Sequence, residues 1–247
     1  MAQRDLTSSP TTRRWYVYPD PSTLTNTVAR LLLESAADAI VQRGAFHLVL
    51  AGGSTPQALY RALAGASAEW AAWHIYYGDE RCLPPDDPER NSHMAAQEWL
   101  SRVPIPQTQI HPIPAERGSE AGARAYDESL ATVGIFDLVL LGLGEDGHVA
   151  SLFPGHPLGE EPETSAALPV HDAPKPPPDR ISLSAQRLNH TRELWFLVSG
   201  AGKREAVERW REGDDIPAAH IRPAAGVDVH MDSAAAPAGM SPDATPD

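Results

Sequence analysis

Phe136-Asp137-Leu138-Val139-Leu140-Leu141-Gly142-Leu143-Gly144-Glu145-Asp146-Gly147-His148 is the stretch on which the reading of this chain turns. A strand of buried character runs straight into three glycines, two carboxylates and a histidine. Open α/β sheets place their ligands in the crevice beyond the carboxyl ends of the strands. Glycines let the backbone turn sharply there and let a ligand come close. Imidazole is the side chain best suited to move protons near neutral pH. The stretch therefore predicts a strand that feeds an active-site loop, with His148 at the sheet edge.

Working outward, three further strand ends carry similar signals. Phe46 to Leu50 opens into Ala51-Gly52-Gly53-Ser54-Thr55-Pro56, and a helix from Gln57 to Leu63 follows with Pro56 in its first turn. Glycine backbone N–H groups, two hydroxyls and a helix N-terminus together make a phosphate cradle. The plainer reading is a tight turn in which Ser54 or Thr55 caps the helix. Trp73 to Tyr77 ends in Gly78-Asp79-Glu80-Arg81, where the charges either build a site or solvate a loop. Lys203, in Gly200-Ala201-Gly202-Lys203, stands where a strand passes into a helix, to meet either a phosphate or water.

Trp15 to Tyr18, Arg180 to Leu183, Glu193 to Val198 and Val227 to Met231 complete the strands, with a short one at Ala167 to Val170. Helical spacing runs over Thr25 to Arg43, closed by Gly44, and over Asn91 or Ser92 to Leu100. It recurs at Ser119 to Val133 and Lys203 to Trp210. Strands alternating with helices predict an α/β fold with a mostly parallel sheet covered on both faces. The expected organisation is a flexible lead-in at 1–13, one α/β catalytic domain over 14–236, and a tail at 237–247 with nothing to pack. Residues 154–179 hold eight prolines among many carboxylates and read as a surface excursion, either a lid or a passive loop.

Composition narrows the function. With 247 residues, 42% of them apolar, the chain can build one large core. No apolar run reaches the roughly 18 residues of a membrane span. Met1-Ala2-Gln3-Arg4-Asp5 lacks the apolar core of a signal peptide. Cys82 is the only cysteine, which excludes an internal disulfide and any cysteine-cluster metal site. A cytoplasmic enzyme is expected, and oligomeric state is not encoded in any pattern. A net charge of -13 argues against nucleic acid and anionic membranes as partners. Ten histidines are scattered without an H-x-x-x-H pair, so no metal is expected. Gly142 to Gly147 matches G-x-G-x-x-G literally, but Pro154 cuts short any helix after it. Glu160, Glu161 and Glu163 then fall in a proline-rich loop, so no nicotinamide cofactor is expected. There is no G-x-S-x-G elbow of a serine hydrolase.

Taken in order, these segments resemble the 6-phosphogluconolactonase family over roughly residues 15 to 236. The resemblance rests on Leu50 to Pro56, Gly78 to Arg81 with Asn91-Ser92, Leu141 to His148, Ala150 to Pro154, Arg180 to Leu183, and Gly202-Lys203. Val149 and Ala51 depart from residues the family often carries, threonine and serine, and neither supplies essential chemistry. The resemblance implies a three-layer α/β/α fold related to glucosamine-6-phosphate deaminase and the sugar-phosphate isomerases. It also implies cofactor-free hydrolysis of 6-phospho-D-glucono-1,5-lactone to 6-phosphogluconate, in the oxidative pentose phosphate pathway. On that reading His148 takes a proton from the attacking water and returns it to the ring oxygen. Asp79 orients the sugar hydroxyls or the histidine, and Arg81 shapes the pocket or faces developing charge. The phosphate sits on Gly52, Gly53, Ser54 and Thr55, with Arg180 and Lys203 closing over it. Asp146 orders the loop or touches the substrate. Two rivals share the scaffold: an isomerase or deaminase, and a non-catalytic sugar-phosphate binder. Arg81, where deaminases tend to carry an aromatic residue, argues against the first, and the lack of a DNA-binding region against the second.

Overall fold

Apolar strands and amphipathic helices alternate in the structure, a computed structural model that describes residues 12–240. The expectations placed on residues 1–11 and 241–247 lie outside the described residues. The chain enters through β1 (Arg13–Tyr18), α1 (Pro21–Arg43), β2 (Phe46–Leu50), α2 (Ser54–Leu63), β3 (Trp73–Tyr77) and the short β4 (Asp79–Arg81). Next come α3 (Asn91–Ala95), which runs on as a wider turn over Ala96–Leu100, then α4 (Ser119–Leu130) and β5 (Phe136–Leu141). The remainder is β6 (Ala167–Val170), β7 (Arg180–Leu183), α5 (Ala185–Asn189), β8 (Thr191–Val198), α6 (Arg204–Glu212) and β9 (Val227–Asp232).

Six strands pair in parallel in the order β1-β9-β8-β5-β2-β3. Strand β5 is buried at every position, including Asp137. A strand buried on both faces reads as an apolar run rather than an alternation. Asp137 is tolerated because its carboxylate accepts from the Arg43 guanidinium (2.8 Å) and the His47 N–H (2.8 Å). Side chains along a strand alternate between faces, which identifies the layers. Glu193 of β8 accepts from Ser35 of α1 at 2.7 Å. Phe196, three positions along, points the other way and packs on Trp210 of α6, ring centroids 4.6 Å apart. Helices α1 and α6 therefore cover opposite faces, and the architecture is α/β/α.

Several boundaries differ from the sequence reading by a few residues, two of them for clear local reasons. Helix α1 starts at Pro21 rather than Thr25 because Asp20 caps it, its side chain accepting from the Thr23 N–H at 2.8 Å with proline in the first turn. Helix α2 starts at Ser54, so the cradle residues belong to its first turn.

The larger correction concerns Asp79–Arg81, read as a loop, and Arg180–Leu183, read as one strand of the main sheet. Both belong to a second sheet, antiparallel, in the order β4-β7-β6. Gly78 joins the two sheets, its N–H donating to the Leu50 carbonyl (2.9 Å) and its carbonyl accepting from the Leu183 N–H (2.8 Å). Pro169 sits in the edge strand β6, where no ladder donor is required of it. Packing also extends past Ala236, where nothing was expected to pack: Pro237 is buried and Met240 lies against the core. No helix among the described residues is long and apolar enough to cross a membrane.

Candidate active site

A cavity of about 400 Å³ opens over the carboxyl ends of β2, β3, β5 and β8, where each strand hands over to its loop. The loop after β5 builds its reactive wall. Gly147, at φ +87°, takes a conformation that disfavours other residues and turns the chain so that the Gly144 N–H meets the His148 carbonyl (2.8 Å). A side chain on Gly144 would put its Cβ 2.1 Å from His148 Nδ1, so only glycine lets the imidazole fold back over this turn. His148 Nδ1 lies 2.5 Å from Asp146 Oδ1, and Phe153 flanks the ring at 4.7 Å. After Gly147 the chain does not enter a helix; Val149 and Leu152 bridge instead.

Electrostatics set the protonation of this pair. Burial holds the His148 pKa below its ordinary value and outweighs the opposing pull of Asp146 and Asp79. Burial pushes Asp146 up, but the charge and hydrogen bonds of His148 prevail and keep its carboxyl below the usual range. At neutral pH the imidazole is therefore neutral and the carboxylate charged. The carboxylate accepts only, so Nδ1 carries the proton and Nε2 is left as a base.

Asp79 of β4 faces the same cavity and is held from two sides. Ser151 Oγ donates to its Oδ2 at 2.6 Å, and Asn91 Nδ2 to its Oδ1 at 3.0 Å. Gly52 makes room for this, since a Cβ there would meet Asn91 Oδ1 at 2.1 Å. Glu80 points the other way and is fully buried. It accepts from the N–H groups of Arg81, Asn91 and Ser92 and pairs with Arg90 Nε at 3.3 Å. Glu80 thus secures the start of α3 rather than touching a ligand. Arg81 lines the cavity; its Nη1 donates to the Glu89 carbonyl, and its buried Nε has no hydrogen-bond partner among the described residues.

The opposite wall is the first turn of α2. Gly53, at φ +101°, is the N-cap, and no side chain caps the helix, so the expected alternative of a Ser54 or Thr55 cap is not realised. A Cβ at Gly53 would meet nothing within 4 Å, which leaves the backbone open to a ligand. Gly52, Gly53, Ser54 and Thr55 all line the cavity. So do four cations: Arg81, Lys175, Arg180 and Lys203. The cavity is thus locally basic in a chain of charge -13. Burial lowers the Lys203 pKa, with Glu145 and Asp146 opposing. Every site residue expected from sequence lines this cavity except Asp146, which reaches it through His148. Sequence reasoning quoted Asn91, Ser151 and Phe153 within motifs but assigned them no role, and it passed over Lys175.

The family model described as glucosamine-6-phosphate isomerases/6-phosphogluconolactonase matches residues 19–231. The chain belongs to the glucosamine-6-phosphate isomerase/6-phosphogluconolactonase family. It is 39% identical over 241 residues to a 6-phosphogluconolactonase of Streptomyces coelicolor, covering 89% of this chain and 92% of that one. To the 6-phosphogluconolactonase of Mycobacterium tuberculosis it is also 39% identical, over 220 residues, covering 82% and 89%. A solved 6-phosphogluconolactonase from Trypanosoma brucei superposes with a TM-score of 0.81 at 26% identity, covering 91% of this chain and 97% of that one. The parallel sheet with helices on both faces is the glucosamine-6-phosphate isomerase/6-phosphogluconolactonase fold, and the cavity lies at its carboxyl edge.

Proposed function

We infer that this chain is a 6-phosphogluconolactonase, which opens 6-phospho-D-glucono-1,5-lactone to 6-phospho-D-gluconate. The observation that carries the reading is His148, neutral and oriented by Asp146, in a cavity walled by cations and a helix N-terminus. Relatives bearing that activity in their names, at 39% identity, support it. Water attacks the lactone carbonyl carbon while His148 Nε2 takes its proton. The oxyanion collapses, the bond from that carbon to the ring oxygen breaks, and the imidazolium returns the proton to the departing oxygen. Asp146 stabilises the imidazolium meanwhile. Arg81, whose guanidinium lines the cavity, faces the developing negative charge. Asp79, with lone pairs left beside Ser151 and Asn91, accepts from sugar hydroxyls. The phosphate rests on Gly52, Gly53, Ser54 and Thr55, with Lys203 and Arg180 beside it.

Incubation with the lactone and, separately, with glucosamine 6-phosphate tests the assignment. The expected products are 6-phosphogluconate from the first and no ammonia or ketose from the second. Ammonia release without lactone opening overturns the reading.

The pH profile follows from the sign of the His148 shift. The base works only when neutral, so kcat/KM falls as pH drops through its pKa and is level above it. Burial lowers that pKa from 6.5, so the acid limb is expected below pH 6.5. An acid limb centred above 6.5 contradicts the burial argument.

Lys203→Ala is expected to remove a charge-assisted contact of about 1.5–3 kcal/mol, a rise of roughly 10- to 150-fold in KM for the phosphorylated lactone. Unphosphorylated gluconolactone serves as the comparison substrate, and equal losses on both show Lys203 to be structural.

A further inference from the structure

Residues 154–179 return to the cavity at one point, and Arg180 brings them there. Arg180 is 5% exposed at the start of β7. Its Nε donates to the Pro177 carbonyl (3.1 Å), and its Nη2 to the carbonyls of Lys175 (2.7 Å) and Pro176 (3.2 Å). The guanidinium also lies over the Phe153 ring at 5.5 Å, so it is anchored to the His148 loop. Pro176, Pro177 and Pro178 restrict the backbone on the far side of Lys175. A buried cation gripping three successive carbonyls of a proline-stiffened segment holds Lys175 as a wall of the cavity.

The ammonium of Lys175 lies 4.0 Å from the carboxylate of Glu145, in the His148 loop. The segment carrying Lys203 approaches the same carboxylate, since a Cβ on Gly202 would lie 3.4 Å from Glu145 Oε1. The charge of this one carboxylate therefore acts on both lysines, pairing with Lys175 and opposing the fall in the Lys203 pKa.

We propose that Lys175 is a specificity-determining ligand of the substrate's phosphate, acting with Lys203, and that Glu145 is the counter-ion which the phosphate displaces. The proposal deepens the lactonase reading and rests on it. The Lys175–Glu145 pair is more than half exposed on both sides, and such solvent-screened pairs are weak. A phosphate monoester carries about -1.5 to -2 charge near pH 7 and three strong acceptor oxygens. It displaces a single carboxylate readily, whereas an uncharged lactone has nothing to offer either lysine. The resting pair thus biases the site toward phosphorylated substrate. Lys175 is also felt at the reactive group: its charge opposes protonation of His148, against Asp146 and Asp79, and it lowers the Lys203 pKa in the same way.

The test uses Lys175→Ala, Lys175→Arg and Glu145→Gln in the full chain. Lys175→Ala is expected to lower the ratio of kcat/KM for phosphorylated over unphosphorylated lactone by about 10-fold or more, mainly through KM. Arginine is expected to restore most of that ratio. Calorimetry with 6-phosphogluconate should show weaker binding to Lys175→Ala and tighter binding to Glu145→Gln. The acid limb of kcat/KM should move to higher pH in Lys175→Ala, because the lysine's charge opposes protonation of His148. The substrate ratio and the 6-phosphogluconate affinity, not this shift, separate a phosphate ligand from a structural lysine. An unaltered substrate ratio in a folded Lys175→Ala enzyme that still opens the lactone overturns the proposal alone. Lys175-dependent binding of 6-phosphogluconate by a protein that does not open the lactone overturns the lactonase reading alone.

Discussion

Replacing His148 with asparagine is expected to lower turnover of the phosphorylated lactone by about 10²–10⁴-fold, the usual worth of general acid–base catalysis. The substitution is chosen to spare everything else. Asparagine is close to histidine in size, and its amide N–H can still donate to Asp146, so the turn from Gly144 to Gly147 keeps its partner. The phosphate wall at α2 and Lys203 is untouched, so affinity for 6-phosphogluconate should change far less than turnover. What disappears is the Nε2 lone pair, because an amide does not accept a proton from water near neutral pH. Near-normal turnover in a folded His148→Asn variant would make His148 a structural residue of the glycine loop. Asp79 would then become the base to test.

The second large effect is on stability. Glu80→Ala is expected to cost about 3–5 kcal/mol, the usual penalty for removing one partner of a buried ion pair. Glu80 is 0% exposed and Arg90 only 3%. Removing the carboxylate strands the Arg90 charge and withdraws the acceptor from three N–H groups at Arg81, Asn91 and Ser92. Glu116, which also reaches Arg90 at 3.1 Å, is too exposed to compensate fully. Denaturant unfolding measures the loss, and Glu80→Gln, which keeps an acceptor oxygen, should lose less. A loss under about 1 kcal/mol would mean that Glu116 and water satisfy Arg90 without Glu80. Because Asn91 also holds Asp79, the remaining folded enzyme should show reduced activity as well.

How legible the molecule was depends on the range of the interactions that build each part. The parallel strands were readable because burial on both faces writes an unbroken apolar run, as in Leu138 to Leu141. The cradle and the His148 loop were readable because glycine and histidine carry their chemistry within a few residues. The antiparallel sheet was not readable. Asp79–Arg81 has a charged, loop-like composition, and its pairing with Arg180–Ser182 joins segments some hundred residues apart. Periodicity along one segment says nothing of a distant partner. The same reason hid the support of Asp79, since Ser151 reaches it across 72 residues of sequence. Lys175 escaped notice because a lysine among prolines reads as surface, and only the grip of Arg180 on its carbonyl brings it inward.

The most direct test of the account is the initial rate of 6-phospho-D-glucono-1,5-lactone loss at neutral pH, with and without catalytic amounts of the protein. The expected result is multiple-turnover loss far faster than spontaneous ring opening, with 6-phosphogluconate as product and the acceleration abolished in His148→Asn. Loss no faster than in buffer alone, from folded protein that binds 6-phosphogluconate, would contradict it.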